Sequence, residues 1–164
     1  MASYQPKGFF SSVLVIALLS LIAVDTLAAE RALVVVVARD MPASNFDRHF
    51  NQRKLRRIYR KQRLLWRNGK RIAPLNLMAS SPLREVFNQS VFHRSLDQMA
   101  AFWNERYFEG ISPPHVVDSQ EAVLRFVSRI PGAIGYIAEC NVDDRVRVLL
   151  TIQTKKPLPD SVCH

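Results

Sequence analysis

An α/β layer fold with a mostly parallel sheet flanked by helices is what this 164-residue sequence predicts, and three observations predict it. Ala32–Ala38 is an unbroken apolar run rich in valine, bounded by Arg31 and Arg39; so short and β-branched a run predicts a strand buried on both faces. Beyond it, stretches of helical period alternate with short apolar strands, the order that builds crossover connections. No linker-like stretch or internal repeat interrupts this order, and a chain of roughly 135 residues beyond a leader is long enough for one buried core.

The leader is expected at residues 1–28, with Lys7 ahead of an apolar run from Phe9 to Val24 and small residues at Thr26 and Ala28 marking a cleavage site after Ala28. An uncleaved anchor is the competing reading, but the run is short of the roughly 20 apolar residues that span a bilayer and Asp25 closes it. Residues 29–154 are then the domain and 155–164 a tail, with export to the periplasm as the expected location. Lys7 and Asp25 cancel, so the formal net charge of +9 belongs to the exported part. Such a charge attracts anions without specifying which, and export disfavours nucleic acid as the partner. Cys140 and Cys163 are the two cysteines; an oxidising compartment allows them to pair, and a Cys163–His164 couple lacks the ligand number that zinc requires.

The elements follow in order. Phe46–Tyr59 has helical period, with Phe50, Leu55, Ile58 and Tyr59 as its apolar face. Its other faces carry Arg53, Lys54, Arg56, Arg57, Arg60, Lys61 and Arg63, which reads either as a solvated face or as a surface for an anionic membrane or an acidic protein. Arg67-Asn68-Gly69-Lys70 is a turn, and Arg71–Asn76 a short strand. Leu83, Val86, Phe87 and Val91 then form the stripe of a core-facing helix. Ser95-Leu96-Asp97-Gln98 is a capping box opening a helix with the stripe Leu96, Met99, Ala100, Trp103 and Tyr107, ended by Gly110. Val116–Val117 is a brief strand, and Asp118-Ser119 caps a helix whose face is Val123, Leu124, Val127 and Ile130. Pro131-Gly132 stops it, Ala133–Ala138 is a strand in which Gly135 permits close approach, and Val146–Ile152 is the last strand.

In an α/β sheet, ligands gather at the carboxyl ends of strands beside helix starts. Asn76–Phe87 occupies that place: a strand end, the hydroxyls of Ser80 and Ser81, Pro82 as first helical residue, and Arg84 one turn on. A helix start with two hydroxyls and a guanidinium reads as an oxyanion seat; the plainer reading is that Ser81 only caps the helix and Arg84 lies in solvent. No nucleophile elbow, phosphate-binding glycine loop or paired-histidine metal motif occurs, and His49, His93 and His115 stand apart in the sequence. A catalytic role is not expected, and no cofactor is implied.

Three segments together carry a family resemblance. Leu55-Arg56-Arg57-Ile58-Tyr59 with Trp66-Arg67-Asn68-Gly69 and Ile72-Ala73-Pro74-Leu75-Asn76, then Ser80-Ser81-Pro82-Leu83-Arg84-Glu85-Val86-Phe87, then Pro131-Gly132-Ala133-Ile134-Gly135-Tyr136-Ile137, resemble the periplasmic phosphate-binding proteins of ABC uptake systems, closest to their short relatives. The resemblance implies a periplasmic-binding-protein-like domain, phosphate or a similar oxyanion as ligand, an ABC permease as partner, and Ser80, Ser81, Arg84 and Asn76 as contacts; the family has two lobes that close over the ligand, and a length of roughly 135 residues predicts a single lobe here. The sequence departs from the family in two places. Pro82 stands where a Ser-Gly-Thr segment is usual and donates no N–H, and Lys61-Gln62 stands where glycine-lysine is common.

Overall fold

A computed structural model describes residues 1, 32–46, 49–154 and 157–163; apart from Met1, the leader expected at 1–28 lies outside the described residues. Among the described residues the strands and α-helices follow in this order: β1 (Leu33–Ala38), α1 (Gln52–Tyr59), β2 (Ala73–Leu77), α2 (Pro82–Phe87), α3 (Leu96–Phe108), β3 (His115–Val117), α4 (Gln120–Arg129), β4 (Ala133–Ala138) and β5 (Val146–Ile152). The five strands form one open sheet in the order β3-β2-β4-β1-β5, flanked by helices, so the α/β class read from the sequence is the class adopted. Pairing is parallel from β3 through β2 to β4, while β1 runs antiparallel to both β4 and β5. The valine run cannot reveal this difference, because burial on both faces makes parallel and antiparallel central strands look alike.

Every residue of β1 is buried, Leu33 to Val37 completely. Covering both faces stabilises the sheet by about 1.5–2 kcal/mol for each such valine. β4 beside it is equally buried, and its Gly135 lets α4 lie directly on the strand: a Cβ built there would stand 2.4 Å from Val123 Cγ1. Gly132, with φ +87, turns the chain from α4 into β4; its carbonyl accepts from Trp66 Nε1 at 3.0 Å and from the Ala73 N–H at 3.1 Å, which joins the start of β4 to the start of β2.

Ile130, expected on the buried face of α4, stands exposed at its C-terminal cap, and two helices differ more from the sequence expectation. α1 begins only at Gln52, behind an Asn51 cap that accepts from the Lys54 N–H at 3.0 Å. Phe46, expected in that helix, serves the core from an extended loop, edge to face on Trp66 with centroids 5.3 Å apart. α3 has its capping box as expected, but of the five-residue stripe only Met99 and Trp103 are buried; Ala100 is exposed and Tyr107 is 68% exposed. Phe102 packs on the core in their place. Helical period identified a helix there and overstated the length that touches anything.

The tail is held. Cys140 and Cys163 are bonded with Cα atoms 5.8 Å apart. Val162 is buried, and its carbonyl accepts from Gln120 Nε2 and Asn141 Nδ2, each at 2.7 Å. Gln120 Oε1 accepts from the Ala138 N–H, so one buried side chain ties α4, β4 and the tail together.

Candidate functional site

The loop between β2 and α2 lies at the carboxyl end of β2, on the parallel side of the sheet. Ser81 is the cap of α2, with extended backbone at φ −75 and ψ 126, and Pro82 is the first helical residue. Its side chain makes no capping hydrogen bond. The backbone donors of this helix start are largely spent: the Ser81 N–H donates to the Met78 carbonyl and the Arg84 N–H to the Ser81 carbonyl, both at 3.0 Å, and Pro82 has none. Any seat for an anion here therefore consists of side chains rather than of the bare helix terminus the sequence suggested.

Those side chains are unequal. Ser80 is exposed and Ser81 half-buried. Arg84 is also half-buried and does not extend into solvent: helical side chains lean toward the N-terminus, and it folds back over the strand end so that Nη1 donates to the Leu77 carbonyl at 2.9 Å. Its Nε is buried with no hydrogen-bond partner among the described residues. Asn76 has a different place from the one expected. It is 4% exposed, and its Oδ1 accepts from the Tyr136 hydroxyl at 2.7 Å. A strand-end amide that faces the core is committed there, so Asn76 positions the end of β2 and offers that oxygen to no ligand.

Tyr136 is the residue that sequence reading left without a role. Its hydroxyl also accepts from the Leu77 N–H at 3.2 Å, and its ring stacks on Phe87 with centroids 3.9 Å apart and planes 7° from parallel. Tyr59 lies in the same cluster and donates to the Leu75 carbonyl at 2.9 Å. Burial pushes the Tyr136 phenol up to about 12 and the Tyr59 phenol well above its usual range, each against the pull of the Arg84 guanidinium beside them. A signal existed in the sequence: a tyrosine in an otherwise apolar strand needs a partner for its hydroxyl, and Asn76 is a polar residue in the strand Arg71–Asn76.

The described cavities lie elsewhere. One of about 270 Å³ is lined by Asp40, Met41, Asn45, Trp66, Lys70 and Gly132, at the start of β4 and therefore at the end of the sheet away from the β2–α2 loop. An open groove of about 730 Å³ runs past Phe46, Phe50, Arg67 and Arg147. Neither is lined by Ser80, Ser81 or Arg84. The histidines remain separate: His115 packs beside Phe126 with centroids 5.8 Å apart, His93 faces Arg56, and the His49 carbonyl accepts from Lys54 Nζ.

This sheet, with this order of helices, is similar to part of the fold of substrate-binding proteins of phosphate ABC transporters. Among solved structures the chain is similar to an ABC-type phosphate transport receptor from Vibrio cholerae, with 23% identity and a TM-score of 0.56 over 72% of this chain and 45% of that one. It is also similar to a protein from Clostridium perfringens described as a phosphate ABC transporter substrate-binding protein and solved with bound phosphate (16% identity, TM-score 0.53, 72% of this chain and 44% of that one). PstS from Borrelia burgdorferi is a third (16% identity, TM-score 0.50, 73% of this chain and 46% of that one). The chain spans less than half the length of each of these structures. No protein-family profile matches the sequence, and no curated protein matches it.

Proposed function

We infer that this chain is an exported oxyanion-binding domain of the phosphate-receptor type, which holds phosphate at the β2–α2 loop and has a transport rather than an enzymatic role. The observation that carries the reading is the pairing of Ser80 and Ser81, the latter free of any capping bond, with the half-buried Arg84 at the carboxyl end of β2. The shared fold of the phosphate transport receptors supports it.

In this reading the two hydroxyls donate to phosphate oxygens, and Arg84 supplies the balancing charge while Leu77 holds its inner edge. Tyr136 and Asn76 keep the strand end in place and touch no ligand. With Pro82 giving no N–H and the loop open to water, binding is weak, since solvent screens each contact. An ABC permease is the partner that such a domain serves, and the periplasm is its location.

Titration calorimetry of the purified protein with inorganic phosphate and with sulfate tests the reading. Saturable heat that Ser81→Ala together with Arg84→Ala abolishes is the expected outcome. Silence at millimolar phosphate, or heat unchanged in that double variant, overturns it.

A further inference from the structure

The basic run of α1 does not present one solvated face. Arg53 and Arg57 are exposed, but Arg56 and Arg60 turn toward the π-helical turn at Asn88–Phe92 and toward α3. Arg56 Nε donates to the Val91 carbonyl at 2.6 Å. The Arg60 guanidinium lies 5.6 Å from the Phe92 ring centroid and 5.8 Å from that of Phe102. Arg94, far outside the run in sequence, reaches the same Phe102 ring at 5.7 Å.

Two guanidinium groups from separate parts of the chain thus meet on the Phe102 ring, with Arg56 beside them, its Nη2 3.5 Å from His93 Nε2. Among the described residues none of the three is paired with a carboxylate. Arg60 Nε is buried without a hydrogen-bond partner, so packing pins this cation instead of letting it swing away from its neighbours. Burial, and then the charges of Arg94 and Arg56, push Arg60 below its usual value.

Simpler roles account for part of this arrangement. Arg60 stands at the C-terminal end of α1, and Arg56 binds a carbonyl near the end of the π-helical turn, where helix dipoles favour cations. Each helix end offers only about half a negative charge, which leaves the cluster well in excess. Arg60 and Arg94 lie over ring faces, and a guanidinium held against a ring by cation–π attraction does not spend its N–H donors on it, so they can serve oxygen acceptors.

We propose that Arg56, Arg60 and Arg94 form a second anion site, separate from the β2–α2 loop, that takes a multiply charged phosphate-type oxyanion. Planar guanidinium forks match the spacing of phosphate oxygens and give charge-assisted bonds, which lone surface lysines do not. The two sites lie at opposite ends of the helical run that starts at Pro82 and ends at Phe92, about 15 Å apart at 1.5 Å per residue.

Titration of the protein with inorganic pyrophosphate, followed through arginine side-chain NMR resonances, tests the site. Saturable shifts are expected, with affinity falling about tenfold or more in Arg60→Met combined with Arg94→Met. Arg94→Met alone, which leaves the packing of α1 intact, is expected to weaken binding about threefold. Arg53→Met, on the exposed side of the same helix, and Ser81→Ala, at the other site, are expected to leave the affinity unchanged. Three outcomes overturn the proposal: shifts that do not saturate by about 20 mM pyrophosphate, equal loss in Arg53→Met, or loss in Ser81→Ala alone. Sedimentation with phosphatidylglycerol vesicles forms a second arm. Vesicle binding that needs Arg60 and Arg94 while pyrophosphate fails to saturate replaces the discrete site with a lipid-docking surface and overturns it too.

Discussion

Ser81 and Ser95 both precede helices, yet of the two only the Ser95 side chain bonds to its helix, accepting from the Gln98 N–H at 3.2 Å while Gln98 Oε1 accepts from the Ser95 N–H. Ser95→Ala is therefore expected to cost about 1 kcal/mol in urea unfolding, and Ser81→Ala less than about 0.5 kcal/mol. Equal costs would mean that Ser81 is an ordinary cap, and would remove the case for its hydroxyl as a ligand contact. Tyr136 gives a second prediction at this scale. Its folded value of about 12 lies above the usual 10.0, so its contribution to stability is complete below pH 10 and is lost as pH climbs from 10 toward 12. Unfolding free energy should fall across that window by roughly 1.4 kcal/mol per pH unit for each buried phenol. Tyr136→Phe should make the fall shallower, while lowering stability near neutrality by about 2–4 kcal/mol because Asn76 Oδ1 and the Leu77 N–H both lose their partner.

At the scale of elements, the end of α1 shows how a departure in sequence is absorbed. Lys61 has φ 57, the left-handed conformation that glycine adopts freely, and the chain closes there with Lys61 N–H to Ile58 O at 2.9 Å and Gln62 N–H to Arg57 O at 2.8 Å. Lys61→Gly is expected to raise stability by about 1 kcal/mol, measured as a shift of the urea midpoint at constant slope. A destabilised variant would show that the half-buried Lys61 stem contributes packing that outweighs the strain. Element identity was legible in the sequence wherever a local rule operated. The Ser95 capping box, the Gly110 stop, the Ser119 cap and the bounds of β4 and β5 all stand where their residues indicated. Reading failed where the partner decides: Phe46 packs edge to face on Trp66 from outside the helix, and Tyr107 is exposed on the stripe whose Met99 and Trp103 are buried.

For the whole molecule, the bond between Cys140 and Cys163 closes a loop across 23 residues, joining the segment after β4 to the docked tail. In the chain-entropy picture a loop of this size contributes about 3.5 kcal/mol. Reduction, or Cys140→Ala with Cys163→Ala, is expected to lower unfolding free energy by about that amount, and hydrogen exchange should speed up first around Leu158–Val162. Uniform loss of protection across the sheet, with the tail no faster than β1, would show instead that the tail unfolds only with the core. Electrostatics at this scale concentrates in two places of opposite kind. Arg145 bridges Glu121 and Asp143, whose carboxyls it holds below their usual range, whereas among the described residues Arg56, Arg60 and Arg94 form no ion pair with a carboxylate.

Taken alone, the sequence determined the α/β class, the positions of the strands and most helices, the Ser80–Ser81–Pro82 loop at a strand end, and the excess of positive charge. Each of these rests on local period, caps and composition, which a chain carries wherever its neighbours are. Tertiary structure decided which polar groups remain available. It committed Asn76 to Tyr136, folded Arg84 back over Leu77, set β1 antiparallel to its neighbours, and brought Arg94 to the ring that Arg60 already occupies. These outcomes depend on contacts between residues far apart in the chain, and a hydrogen bond or a shared ring is settled only when both partners have arrived.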